Sequence, residues 1–375
     1  MSTERWLDIP LDAAKWEPVM ELAYDMLALL DGSCLPEHNY KHIALWNGDG
    51  SRITKGDGGI YVQEVGFEQA DIGGETWGSS VLLAQRMARK AVDVSGHRRC
   101  IELGCGTGLV GFTVAHIFAE SADGCLNDTD KDGKTVVMTD YLPTIMKAVD
   151  AGAQKNGLLE TGIIKPMLLD WFEIAEQARL IKDREHVPIP QTHYLDGAQT
   201  DNLAANSAND YASTDVARLD PVNSKGSFDL VVAADILYEI EHCLVIPRLV
   251  DFLLAPPPSY NACNRYSEPA SKFIVTVALR KTHWAEVAAF EAEMAKIPDL
   301  VLVSREDSSI CGDLARWMKA PGNTHASNEW SADMCADVQR AMEQDGDETN
   351  DGPKQYRTYV FERRSSSDQL EKRHP

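Results

Sequence analysis

From residue 77 onward the apolar positions of this chain switch repeatedly between two spacings. Short runs of near-continuous apolar residues predict buried strands, and recurrences at three and four residues predict helices. Strands are predicted at Arg99–Leu103, Thr135–Thr139, Ile163–Leu169, Phe228–Ala234, Phe273–Leu279, Leu300–Ser304 and Tyr356–Glu362. Helices are predicted at Trp77–Ala91, Leu109–Phe118, Thr144–Lys155, Cys243–Leu254 and Trp284–Ala295. Strands alternating with helices predict an α/β, Rossmann-like fold: a mostly parallel sheet with helices on both faces and right-handed crossovers. Upstream, Glu17–Leu30 has helical spacing and Ile60–Phe67 reads as a strand.

The pattern also predicts boundaries. Residues 1–57 carry no motif and are expected to form an N-terminal extension that packs on the core. Residues 58–364 form the expected catalytic domain, and 365–375 a disordered tail. Two stretches break the alternation, near 176–227 and 308–353; they are polar, with runs such as AQTDNLAANSANDYASTD and EQDGDETNDG. Loops of that length are uncommon in compact domains, so both are expected to be mobile insertions. There is no internal repeat.

Composition narrows the classes. With 375 residues, 44% of them hydrophobic, the chain can bury a sizeable core. No run approaches the ~18 apolar residues of a membrane span, so no membrane partner is expected. The first residues include Glu4, Asp8 and Asp12 and lack an apolar signal core, which makes a cytoplasmic location the expectation, with the nucleus second. Eight cysteines are scattered without a C-x-x-C pair, so neither a disulfide framework nor a metal site is expected. A formal net charge of −22 repels phosphate backbones, which excludes nucleic acid as a first partner, whereas a basic peptide would be attracted.

The chemistry is concentrated in Arg99–Gly111, RCIELGCGTGLVG, where an apolar strand runs through a glycine turn into an apolar helix. A side chain at Gly104 or Gly106 would obstruct a ligand approaching the backbone, and such a turn requires conformations that glycine adopts without penalty. A tight turn with no ligand is the plain alternative. Gly106, Gly108 and Gly111 also satisfy the dinucleotide pattern G-x-G-x-x-G, so NAD competes with S-adenosylmethionine at this point. Glu102 favours the second, because a carboxylate suits an amine-bearing ligand and would crowd a pyrophosphate.

Further candidates fall at strand ends, where open α/β sheets bind ligands. Asp140 closes the second strand and can accept ribose hydroxyls from either nucleoside, or cap the turn that follows. Trp171, in Leu169-Asp170-Trp171, could stack on an adenine, and Trp77 could flank the same pocket; either could equally be core. Asp235 and Tyr238 follow the fourth strand, as ligand contacts or as a cap with a packed ring. Asp128 to Gly133 opens like a calcium loop, but its twelfth position falls on Thr139 in a predicted strand, so calcium is not expected.

Together the stretches GGETWGSSVLLAQRMA, CIELGCGTGLVGFTVA, VVMTDYLP, LLDW, FDLVVAADILYE and VALR resemble the seven-β-strand class I methyltransferases. Within that class they resemble methyltransferase family 16, the protein-lysine methyltransferases. The resemblance spans Gly73 to Arg280. It implies strand order 3-2-1-4-5-7-6 with the last strand antiparallel, and S-adenosylmethionine as cofactor. It implies that Trp77, Gly104, Cys105, Gly106, Asp140, Trp171 and Ala234 contact that cofactor, with Glu102 from the turn itself. Asp235 and Tyr238 match the family's D-x-x-Y element at the substrate entrance and are the expected catalytic pair. The implied substrate is a lysine of a protein, with translation factors and chaperones the first guesses and a monomer the expected state. A small-molecule N- or O-methyltransferase on the same scaffold is the alternative, because fold does not fix substrate. Phe172 departs from the family, which commonly has glycine after LDW.

Overall fold

Strand residues with both faces apolar can only be satisfied between two helical layers, and the chain folds accordingly. The computed structural model describes residues 40–48, 51, 53–54, 59–122, 133–185, 216–257, 269–310, 312–313 and 355–364. Nine strands lie in these residues: β1 (Tyr40–Ala44), β2 (Gly59–Gln63), β3 (Arg99–Leu103), β4 (Thr135–Asp140), β5 (Ile164–Leu168), β6 (Leu230–Ala234), β7 (Lys272–Ala278), β8 (Leu300–Ser308) and β9 (Tyr356–Arg363). The longer helices are α1 (Gly78–Ala88), α2 (Leu109–Ala122), α3 (Pro143–Lys155), α4 (Trp171–Glu185), α5 (Ile240–Leu253) and α6 (Trp284–Met294).

β1 and β2 form a two-stranded sheet, and the other seven strands pair in the order β5-β4-β3-β6-β7-β9-β8. Numbered from β3, that is 3-2-1-4-5-7-6. β9 runs antiparallel to both neighbours, with Ile274 opposite Val360, while β3 to β7 pair in parallel. Pro166, which has no N–H to give a ladder, is tolerated because β5 is an edge strand.

The period-two alternation of side chains assigns each strand residue to one layer. Cys100, Val136, Met138 and Leu230 pack with Leu83, Phe112 and Val149 of α1, α2 and α3. Ile101, Leu103, Val231 and Val275 face the other way, onto Ile174, Ile246, Leu249 and Phe290 of α4, α5 and α6. Glu102 shares the face of Cys100, which places its carboxylate under α2.

Several expectations shift. Ile43, Leu45 and Ile53 are buried in the first cluster. A helix, α4, covers Trp171–Glu185, where a mobile insertion was expected from Glu176. The far end of that insertion returns to the sheet: Leu168 N–H donates to Ala217 O (2.9 Å) and Leu219 N–H to Leu168 O (3.0 Å). β8 runs on to Ser308 because it is paired with β9 along its length. The expected helix Glu17–Leu30, the tail 365–375, Asp128–Asp132 and the middles of both insertions lie outside the described residues.

Candidate functional site

The turn after β3 is tightly specified. Gly104, Gly106 and Gly108 have φ of +62°, +50° and +84°, conformations that cost other residues strain. Cys105 N–H donates to Thr139 O (2.8 Å) and Gly108 N–H to Cys105 O (2.8 Å), so the turn is anchored to β4 and closed on itself. A methyl group on Gly104 would sit 2.9 Å from Cζ2 of Trp171. The indole thus stands directly against the turn.

The two acids here have different surroundings. Glu102 is buried, and its Oε2 accepts the N–H of Gly111 in the first turn of α2 (3.0 Å). Burial pushes its carboxyl up to about 8, against the pull of that hydrogen bond. This gives Glu102 an internal partner: it ties β3 to α2. Asp140 is also buried and raised by burial, but it lies at the strand end. Its Oδ2 accepts Gly106 N–H (3.2 Å) and its Oδ1 accepts Leu142 N–H (3.3 Å). Both sequence readings of Asp140 meet here, since it caps the next turn and borders the glycine turn. Cys105 is buried, which pushes its thiol well up and leaves it a neutral, unreactive wall.

A second segment crosses the turn. Gly73 O would lie 3.0 Å from a methyl group on Gly106, and the Thr76 and Thr107 hydroxyls are 3.3 Å apart. Glu64 holds this segment by accepting Thr76 N–H (3.1 Å), while Lys41 Nζ donates to the same Oε1 (3.1 Å). Trp77 is thereby delivered to the start of α1, 36% exposed.

At the end of β6, after half-buried Ala234, Asp235 takes φ +55°, unusual for a residue with a side chain. Asp235 Oδ2 accepts Arg280 Nη2 (2.8 Å) and Oδ1 accepts Ala278 N–H (3.3 Å). The Arg280 guanidinium lies over the Trp77 ring, 5.4 Å from its centroid. Asp235, Arg280 and Trp77 therefore form one string across the ends of β6, β7 and α1. Tyr238 packs on His242 edge-to-face, with centroids 4.7 Å apart, and His242 packs on Trp171 in the same way at 5.0 Å. The expected residues thus gather at one sheet edge in two groups. One is the turn with Glu102, Asp140 and the Gly73–Trp77 segment; the other is Trp171 with Tyr238.

Arg280 and His242 carry no sequence assignment. A cation just past a strand's carboxyl end was a usable signal for Arg280. His242 offered none, since its spacing in α5 is that of a core residue. Thr139, the twelfth position of the calcium-like stretch, is a buried strand residue whose hydroxyl donates to Glu102 O (2.5 Å).

Residues 58–187 match the family model described as lysine methyltransferase. The matched segment, about a third of the chain, is similar to that family. It carries the glycine turn, Asp140, Trp77 and Trp171 together. A comparison with curated protein sequences finds no match. Among solved structures, the [4+2]-cyclase SpnF is 14% identical, covering 93% of this chain and 96% of its own, with a TM-score of 0.38. An O-methyltransferase from Bacillus cereus in complex with SAH is 8% identical over 76% and 80% of the two chains, TM-score 0.35. Geranyl diphosphate C-methyltransferase from Streptomyces coelicolor A3(2) is 8% identical over 80% and 90%, TM-score 0.34. At those scores the likenesses add nothing to what the strand order shows.

The cofactor that this family match implies is S-adenosylmethionine. The residues fit it. At Gly106 a methyl group would meet Gly73 O and nothing else among the described residues, so the turn presents bare backbone there, as a close-packed nucleoside requires. A carboxylate has about four acceptor sites. Asp140 receives the backbone N–H groups of Gly106, Leu142 and Tyr141, which leaves an acceptor site for a ribose hydroxyl.

Proposed function

We propose that this methyltransferase acts on the lysine side chain of a protein. What carries the reading is the family match over 58–187, the segment that builds the cofactor side of the site. Gly104, Cys105, Gly106, Asp140 and Trp171 hold the cofactor, with Trp77 and Ala234 bordering it. When bound, S-adenosylmethionine supplies a methyl group already activated on a sulfonium, so positioning and desolvation are the main tasks left to the chain.

A lysine must be neutral to attack, and its ordinary pKa of ~10.4 opposes that at neutral pH. A partly buried aromatic entrance lowers it by desolvation. Tyr238 lines that entrance in this reading and orients the amine. Asp235 is bound to Arg280, so its charge is already compensated. Its part is to hold Arg280 over Trp77, shaping the entrance, and not to remove a proton.

Incubating a cell extract with methyl-labelled cofactor tests the reading. Label in a protein band, at a lysine by mass spectrometry, is the expected outcome. Label confined to metabolites would replace it with the small-molecule reading on the same scaffold. Asp140→Ala and Gly104→Arg are expected to abolish cofactor binding by calorimetry; unchanged affinity would refute the site.

A further inference from the structure

The aromatic residues of the site reach it from two separate crossovers. Trp171 and Phe172 open α4 after β5, while Tyr238 and His242 follow β6. β4 and β3 lie between those strands in the sheet. The groups meet at one side chain. His242 packs edge-to-face on Trp171 (5.0 Å, 85°) and on Tyr238 (4.7 Å, 75°), and tilted against Phe172 (5.8 Å, 47°). It is 9% exposed, and its Nδ1 is buried without a hydrogen-bond partner. Its Nε2 edge lies 3.7 Å from Glu239 Oε2 near the surface.

We propose that His242 is a positioning residue that couples the two sides of the site, holding the cofactor-side indole of Trp171 and the acceptor-side phenol of Tyr238 in one stack. Trp171 stands where a methyl group on Gly104 would touch it, so rotating that indole changes the space beside the glycine turn. Tyr238 lies three residues beyond Asp235, at the acceptor entrance. One ring that fixes both neighbours makes the cofactor side sensitive to the acceptor side and the reverse. Edge-to-face pairs are orientation-dependent, which plain apolar packing is not. Burial holds the imidazole pKa down despite Glu239 and Glu241, so the ring that makes these contacts is neutral near pH 7. The inference rests on the cofactor assignment and is independent of which acceptor is methylated.

The test compares His242→Ala, His242→Leu and His242→Phe. S-adenosylhomocysteine binding is measured by calorimetry, which needs no acceptor, and kcat and KM are measured on the labelled extract protein. His242→Ala is expected to weaken S-adenosylhomocysteine binding by about 5–10-fold and to lower kcat by a similar factor. His242→Leu, which fills the site without a ring, is expected to behave like Ala and serves where Ala does not fold. His242→Phe restores an aromatic edge and is expected to rescue both readouts to within about two-fold. Trp171→Ala and Tyr238→Ala are each expected to be strongly non-additive with His242→Leu. The proposal is overturned if His242→Leu lowers Tm while leaving S-adenosylhomocysteine affinity within two-fold, or if the double variants are additive. It also fails if His242→Phe is as impaired as His242→Leu, which would make the ring nitrogens the working part. If the label falls on metabolites, the lysine reading fails while the binding arm still decides this one.

Discussion

Glu102 has an internal partner that its place in the sequence did not suggest. Its place before the first glycine suggested a ligand contact, yet period-two alternation turns it onto the α2 face, where it accepts the Gly111 amide. Gly111 permits this: a methyl group there would lie 2.4 Å from the carboxylate. The buried acid has consequences for pH. Its carboxyl is pushed from the ordinary 4.5 up to about 8, so the folded state keeps a proton that the unfolded chain releases. Stability therefore falls as pH rises from about 4.5 through about 8, and levels off above. Glu102→Gln keeps the shape and an acceptor for Gly111 while removing the titration. Its stability advantage over the natural protein is expected to be near zero at pH 5 and to grow to on the order of 2–4 kcal/mol above pH 8. Thermal unfolding across that range checks it, and a pH-independent difference would count against a buried ionisable Glu102.

Among elements, the contacts that build the site run between segments distant in sequence. Asp235, at the end of β6, is held in a left-handed conformation by Arg280 from the end of β7, and Arg280 covers Trp77 at the start of α1. Arg280→Ala is expected to reduce kcat/KM by about ten-fold while Tm stays nearly unchanged, because a part-exposed pair adds little stability. The Asp235→Ala/Arg280→Ala double variant should be no worse than the worse single one; additive losses would separate the two residues. A different ion cluster secures the other end of α1. Asp313 pairs with buried Arg89, and its other oxygen lies 3.9 Å from Arg86 Nε, while Arg86 also pairs with Glu306. Removing the acid takes an ion partner from buried Arg89 while Arg86 keeps Glu306, so Asp313→Ala is expected to cost about 3 kcal/mol in chemical denaturation. Most strands and helices were legible from apolar spacing, since the layers bury the residues that set the pattern. The misjudged stretch, α4 from Glu176 onward, is instructive. Its polar residues Glu176 and Arg179 face outward, and the small residues Ala175 and Ala178 beside Ile174 make a buried stripe too weak to read as core.

Across the whole molecule, the charge of −22 bears on association more than on folding. Acidic residues at the sheet's carboxyl edge include exposed Asp170, Glu239 and Glu241, beside the aromatic entrance. If the acceptor is a basic protein segment, its KM is expected to rise several-fold between ~0.05 and ~0.3 M salt while S-adenosylhomocysteine affinity changes little. A KM that ignores salt would point to an acceptor recognised by shape or apolar contact. No helix among the described residues is long and apolar enough to cross a membrane.

The sequence by itself determined the strand and helix succession, the glycine turn and the acid at the end of the second strand. These are local: each follows from side-chain periodicity or from backbone conformations that one residue type permits. Tertiary structure alone decided that Glu102 accepts the Gly111 amide, that Asp235 is bound to Arg280, and that His242 joins Trp171 to Tyr238. Those outcomes depend on which crossover lands beside which strand end. A pairing across 45 residues, as between Asp235 and Arg280, leaves no periodic trace in the chain.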